Sequence, residues 1–275
     1  MVNFLKLKYL KKIIAKLSSQ YVGLVLCYKI KFLPIVIKVE GGLGGQLLNV
    51  WLIDYLKESG FLVVGDYSYF TSYNGTQGVS SWKWQAEPFG YQLPEIEKYR
   101  LLKKTLSFRD CVLKFSYMLM ALHQRTEVYK VVDDKLISSF EILQLSEYLV
   151  IHQRKGDYLN VSSYIINDQV IIDQLSSLNT ECQTCVYLSD GVISNKLKGF
   201  ILEKFRLFRC FDDNRVSPEL SHLILSKAEI AIISNSQFSL SSGVFARKTI
   251  FPPKWNGNKD WDIIYTSYIH SHNEN

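Results

Sequence analysis

Apolar and polar positions alternate along this chain in two rhythms: short β-branched runs, and longer stretches at helical spacing. Ile35-Val36-Ile37-Lys38-Val39, placed after Pro34, predicts a strand. A turn with four glycines in five positions, Gly41 to Gly45, then leads into a helix predicted over 46–59 and closed by Gly60. Phe61-Leu62-Val63-Val64 predicts the next strand, running into Gly65-Asp66. Residues 67–98 mix Tyr, Ser, Gly, Gln and Trp and read as a loop-rich insertion. The spacing of Leu102, Leu106, Phe115, Met118 and Leu122 makes 99–129 mainly helical. A short helix is expected over 137–145.

The second half repeats the alternation with shorter connections. Strands are predicted at 148–151, 185–188, 207–208, 230–233 and 249–253, and helices at 166–178, 193–205 and 219–228. A further helix opens at Ser241-Ser242-Gly243, and from Asn256 onward the pattern specifies little. Such alternation predicts an α/β protein with parallel sheets and helices on both faces, in two halves that meet near 145–150 and form a cleft.

Charge changes the picture at one end only. The chain of 275 residues carries a net +6, but 1–33 hold seven lysines and no acid, so the remainder sums to 6 − 7 = −1. A body this close to neutral argues against nucleic acid as a partner. Within 1–20, Phe4, Leu5, Leu7, Leu10, Ile13, Ile14 and Leu17 recur at near-helical spacing among the lysines. That amphipathic arm suits either an anionic membrane surface or packing on the body with solvated lysines. The longest uncharged apolar stretch, from Tyr21 to Tyr28, falls well short of the ~20 residues of a transmembrane helix. The lysines also break any signal-peptide core. Five cysteines without a paired framework favour a reducing compartment, and Cys182-Gln-Thr-Cys185 lacks the second pair that a zinc site needs.

The candidate chemistry gathers where strands end. After Tyr148–Ile151 come His152, Arg154, Lys155, Gly156 and Asp157. A guanidinium grips two phosphate oxygens at once, an ammonium adds a point charge, and glycine permits a tight turn. Ser189-Asp190-Gly191 follows another strand, and Ser234-Asn235-Ser236-Gln237-Phe238-Ser239 a third. Hydroxyls and an amide at a strand-to-helix junction suit a phosphate, and they serve equally as ordinary helix caps. The glycine turn is neither a dinucleotide fingerprint, since Leu47 takes the third glycine's place, nor a P-loop. Trp82 and Trp84 fit a sugar surface or the anchoring of a long loop. Asp260-Trp261-Asp262 is the one D-x-D and lies in the tail, away from any predicted strand.

Three of these stretches, in order, resemble the α-1,2-fucosyltransferases of glycosyltransferase family 11. The family's G-G-L-G-N-Q is matched by Gly41-Gly42-Leu43-Gly44-Gly45-Gln46. Its H-x-R-R-G-D-Y is matched by His152, Arg154, Lys155, Gly156, Asp157 and Tyr158, and its A-N-S-x-F-S by Ser234 to Ser239. Ser189-Asp190 is similar to its F-S-D segment. The resemblance spans residues 35–255. It departs at Gly45 (Asn in the family), Lys155 (Arg) and Leu240-Ser241 (Trp-Trp).

The resemblance implies a GT-B architecture of two Rossmann-like domains, GDP-L-fucose as donor, a galactose-containing glycan as acceptor, no metal, and inversion at the anomeric carbon. It implies catalytic roles among His152, Arg154 and Asp157. It implies donor contacts from Gly42, Gly44, Gln46, Arg154, Lys155, Asp190, Asn235, Ser236 and Ser239. The expected division is an arm at 1–33, an acceptor-side domain at 34–147 and a donor domain at 148–275. Glu40, Asp66, His152 and Asp157 all stand as candidate general bases. Another nucleotide sugar, or glycan binding without catalysis, are the competing readings. The expected location is cytoplasmic, at the inner face of a membrane.

Overall fold

In the computed structural model the described residues are 20–71, 83–93, 107–108, 112–156, 164–255, 257 and 259–273. The arm before residue 20, Trp82, and the pair Asp157 and Tyr158 lie outside them. The chain forms two compact units. The first comprises Met1–Trp84 and Gln92–Arg125, the second Gln85–Tyr91 and Thr126–Asn275. The second unit therefore begins well before the expected boundary at 148 and borrows a seven-residue segment from the middle of the first.

In the first unit, helix α1 covers residues 20–27 and buries Val22, Val25 and Leu26. It ends in a paired C-terminal turn, with Ile30 N–H donating to Val25 O (2.9 Å) and Lys29 N–H to Leu26 O (3.3 Å). Lys29 sits there at φ +50°, the left-handed conformation that glycine usually supplies. A three-stranded sheet follows. β1 (Ile35–Lys38) is central, with β2 (Val63–Asp66) and β3 (Ser107–Phe108) parallel on either side. β3 is a strand inside a segment whose leucine spacing predicts helix; its pairing with β1 overrides that local preference.

Helix α2 (Leu43–Glu58) starts three residues before the expected position and takes the glycine turn into its first coil. Gly42 is its N-cap, with extended backbone and no side chain to cap the first N–H groups. Only Gly41, at φ +86°, needs a glycine's freedom to bring the chain round from β1. β2 lies two residues later than predicted because Ile35 pairs with Val63 and Lys38 with Asp66, which draws Gly65-Asp66 into the strand. Asp66 then accepts from Ser68 N–H (3.1 Å) at the start of the short helix α3 (Ser68–Thr71). Trp84 packs edge-on against Tyr67 and Phe70, the loop-anchoring alternative. Helix α4 (Val112–His123) packs along α2.

The second unit opens with α5 (Asp134–Glu141), capped by Asp133 and so three residues ahead of prediction. Its sheet has five parallel strands in the order β6 (Leu207–Phe211), β5 (Thr184–Ser189), β4 (Tyr148–Gln153), β7 (Ile230–Ile232), β8 (Lys248–Ile250). By position along the chain that order is 3-2-1-4-5, a doubly wound sheet whose direction of winding reverses between β4 and β7. β4 is buried along its whole length, as a continuous apolar run demands.

The side-chain alternation of β4 assigns its two faces. Leu149 and Ile151 join the core formed with α6 (Asp168–Ser177) and α7 (Asn195–Lys204). Tyr148 and His152 point the other way: Tyr148 donates to Ile224 O of α8 (Pro218–Ser226) at 2.7 Å, and His152 meets α9 (Gln237–Gly243). Helix α9 begins where the sequence predicted a turn, because Ser236 caps it by accepting from Ser239 N–H (3.1 Å). The tail is also more ordered than its pattern shows. It forms α10 (Lys259–Asn273), with Tyr265 and Tyr268 buried edge-on to Phe251. The segment Gln85–Tyr91 completes this unit. Phe89 stacks on Tyr129 at 4.2 Å, and Asp133 N–H donates to Pro88 O (2.8 Å). The α/β class with parallel sheets is what the structure shows.

Candidate functional site

The carboxyl ends of β4, β5 and β7 bring together the polar groups of the second unit. Where a doubly wound sheet reverses direction, neighbouring loops diverge and leave a crevice, and ligands bind there. Register places that point between β4 and β7, since Ile151 pairs with Ile232. One to three residues further along the chain from that pair stand His152 to Arg154 on one side and Ser234-Asn235 on the other.

The hydroxyls of Ser234, Ser236 and Ser239 and one imidazole form a linked set at this point. His152 Nδ1 lies 2.9 Å from Ser234 Oγ and is also hydrogen-bonded to Ser239 Oγ. Ser234 and Ser239 hydroxyls meet at 2.7 Å, and Ser239 Oγ also accepts from Ser234 N–H (3.2 Å). Burial, reinforced by the Arg154 charge, pushes the imidazole down to about 3. His152 is thus neutral at pH 7 and a weak base, suited to holding the serines rather than removing a proton. Beside it, Asn235 is buried, and its Oδ1 has no hydrogen-bond partner among the described residues. A buried carbonyl oxygen left unpaired costs about 1–3 kcal/mol, which a donor brought by a ligand would recover.

Arg154 is oriented by Asp190. Its Nη1 lies 3.0 Å from Asp190 Oδ2, with both side chains mostly buried. The other carboxylate oxygen accepts from Lys155 N–H at 2.7 Å. Lys155 itself reaches away, its Nζ donating to Val192 O (2.9 Å). Two glycines make this clasp possible: a Cβ at Gly156 would lie 2.4 Å from Asp190 Oδ2, and one at Gly191 2.9 Å from Lys155 Cβ. Asp190 thus holds the Arg154 guanidinium and the Lys155 backbone in place.

Sequence reasoning missed the next ring of residues. Gln153 Nε2 donates to Ile166 O (3.0 Å) and to Asp168 Oδ1 (2.8 Å), while its Oε1 accepts from Tyr187 O–H (2.7 Å). It ties the end of β4 to β5 and to α6. Burial alone would raise Asp168, but hydrogen bonds from Ser194 and Gln153, with the Lys155 and Lys196 charges, outweigh it and leave the carboxyl below its usual range. His222 is fully buried between Tyr129 O–H (2.8 Å from Nδ1) and Ser241 Oγ (2.9 Å from Nε2). It fixes α8 to α9 and so braces the serine turn. The one available signal was an imidazole beside Leu223-Ile224-Leu225, within the apolar stretch of a predicted helix.

The first unit holds the remaining candidates. Gly42 and Gly44 lie at the start of α2, where the first N–H groups lack a side-chain cap. Gln46 Nε2 donates to Gly41 O (2.9 Å) and Lys83 O (2.8 Å), so its amide secures the turn. Glu40 is ion-paired with Lys38. Lys114, unremarked in the sequence, is buried and donates to Lys38 O (3.1 Å) at the end of β1. Of the sequence motifs that suggested metal, Asp262 accepts from Trp255 N–H (2.7 Å) in the first turn of α10, and burial raises the Cys185 thiol well above its usual range. Among the described residues no group of three or more His, Cys, Asp or Glu stands where it could hold a metal ion.

No family model matches the chain, and no curated protein sequence does. Solved structures similar to it include POFUT1 in complex with GDP, at a TM-score of 0.43 and 11% identity, covering 79% of this chain and 97% of that one. NodZ α-1,6-fucosyltransferase co-crystallised with GDP matches at 0.41 and 11%, covering 80% and 95%. Fucosyltransferase NodZ from Bradyrhizobium matches at 0.42 and 10%, covering 80% and 96%.

Proposed function

We propose that the chain is an inverting glycosyltransferase that moves L-fucose from GDP-fucose to a galactoside hydroxyl. The proposed product is an α-1,2 linkage in a surface polysaccharide or O-antigen unit, made in the cytoplasm or at its membrane face. One observation carries this reading: a clamped guanidinium and a serine-and-amide turn stand on adjacent strands at the reversal point of a doubly wound sheet. That is a place for a diphosphate. The motif resemblance supports the choice of nucleotide and sugar. The two α/β units supply the two halves that a GT-B enzyme uses.

In the proposed reaction the acceptor oxygen bonds to the fucosyl anomeric carbon as that carbon's bond to the phosphate oxygen breaks. The bonding pair leaves with the β-phosphate of GDP, and a base takes the hydroxyl proton. Arg154 meets the growing negative charge, already aimed by Asp190, so little reorganisation remains at that moment. Ser236 and the N–H groups that begin α9 face the phosphate oxygens, with Ser239 holding the Ser236 hydroxyl behind them. A donor hydroxyl satisfies Asn235 Oδ1. The base is drawn from Glu40, Asp66 and Asp157, since His152 Nδ1 is already engaged by the Ser234 and Ser239 hydroxyls. Arg154 and the backbone donors provide the charge stabilisation without requiring a metal.

Calorimetric titration with GDP, UDP and ADP, followed by incubation with GDP-fucose and galactoside acceptors, tests the reading. GDP is expected to bind best and a fucosylated product to appear. Arg154→Ala should lower turnover by about a hundred-fold or more while the chain remains folded. Failure to bind GDP ends the reading, and binding without product assigns the chain to glycan or nucleotide recognition alone.

A further inference from the structure

Helix α1 is apolar on both sides. Val22, Val25 and Leu26 face the body and are buried, yet the outward positions 24 and 27 are Leu and Cys, and Tyr28 follows the helix directly. A helix lying on a protein in water normally turns polar residues outward. Leu24 is 55% exposed, Tyr28 74% and Phe32, just past the helix, 79%. Single exposed apolar residues are common and carry no meaning, but here three fall within nine residues, one on α1 and two in the turn that follows it. Lys29 and Lys31 are exposed among them. Lys29, in the left-handed conformation, lies in the turn after the helix, and Phe32 follows three residues later. The sequence leading into the patch adds Lys6, Lys8, Lys11, Lys12 and Lys16, with no acid anywhere in 1–33.

We infer that Leu24, Tyr28 and Phe32, framed by Lys29 and Lys31, are a docking face for a bilayer rich in acidic lipid. An occupant must offer an apolar phase and negative charge side by side at one depth. Acyl chains below phosphate headgroups do so, with tyrosine at its favoured interfacial level. Among the described residues no helix is long and apolar enough to cross a membrane. This face is independent of the reaction proposed above.

Co-sedimentation of the full chain with phosphatidylcholine vesicles, with and without phosphatidylglycerol, tests it. The chain should bind the acidic vesicles, more weakly as salt rises, and bind neutral ones poorly. Leu24→Ser/Tyr28→Ser/Phe32→Ser should weaken binding about ten-fold or more, since exposed positions lose only their insertion into lipid. Lys29→Gln/Lys31→Gln should cost about five-fold per lysine, and this variant keeps the apolar contacts should the triple variant misfold. Undiminished binding of either folded variant overturns the inference, as does equal binding to neutral vesicles. A wild-type dimer, seen by sedimentation velocity and lost in the triple variant, would assign the patch to a second copy of the chain.

Discussion

Replacing Gly156 by alanine would place a methyl carbon 2.4 Å from Asp190 Oδ2 and 3.0 Å from its Cγ. Ordinary contact starts near 3.4 Å, so the carboxylate must retreat by about 1 Å. That movement takes Asp190 beyond hydrogen-bond range of Lys155 N–H, now 2.7 Å away, and loosens its 3.0 Å pairing with Arg154. A hydrogen bond from backbone N–H to a carboxylate contributes about 1.5–3 kcal/mol. The partly solvated ion pair adds at most about 1 kcal/mol. Alanine returns about 0.4–1 kcal/mol by restricting the unfolded chain. The net loss is then about 0.5–3.5 kcal/mol, and with Arg154 no longer aimed, GDP should bind about ten-fold more weakly. Denaturant melts measure the first quantity and calorimetry the second. The decisive comparison repeats Gly156→Ala in an Asp190→Ala background, where nothing remains to clash and the substitution should cost little. An equal loss in both backgrounds, or no loss in either, refutes the clasp as the reason for glycine at this position.

Two further outcomes are expected. Lys29→Gly should stabilise the first unit by up to about 1 kcal/mol, because glycine occupies φ +50° without strain; a destabilised melt would contradict the turn geometry. His152 and His222 are each pushed from 6.5 down to about 3, by burial first and then by the Arg154 charge and by His152 respectively. Depressed values mean that the unfolded chain takes up protons that the folded chain refuses. Stability is therefore complete above pH 6.5 and falls toward pH 3, by up to about 1.4 kcal/mol per pH unit for each imidazole. Denaturation midpoints that stay level between pH 6.5 and 4.5 would show that neither ring is sealed from water.

The sequence spoke most clearly where one face or both faces of an element are buried. β4, β5 and β7 are uninterrupted apolar runs, and the groups after them could be read directly as the edge of a sheet. The residues named there, His152, Arg154, Lys155, Asp190 and Ser234 to Ser239, do come together. Their division of labour did not show, because it depends on partners distant in the chain. Asp190 meets Arg154 across 36 positions, and His222 meets Tyr129 across 93. Other misses have local causes. The two residues of β3 are too few to display a period, and they sit among leucines spaced as in a helix. In α10 the stripe Trp261, Ile264, Tyr265 and Tyr268 has helical spacing, but acids, serines and histidines crowd it and only its two tyrosines are buried, so it stands out weakly. The glycine turn looked like a loop because glycine is a poor helix former, yet packing of Leu43, Leu47 and Leu48 holds it in α2.

The borrowed segment Gln85–Tyr91 has a consequence for how the molecule is made. During synthesis the first unit's residues have all emerged once Arg125 leaves the ribosome. Phe89 and Ala86, both fully covered in the finished protein, must then wait for Tyr129 and the strands beyond it. No single cut yields two intact halves. A fragment beginning at Thr126 would leave Tyr129 without the ring stacked on it, and one ending at Arg125 would carry Phe89 as a sticky surface. Dissecting this protein by truncation therefore requires grafting that short segment onto the later fragment.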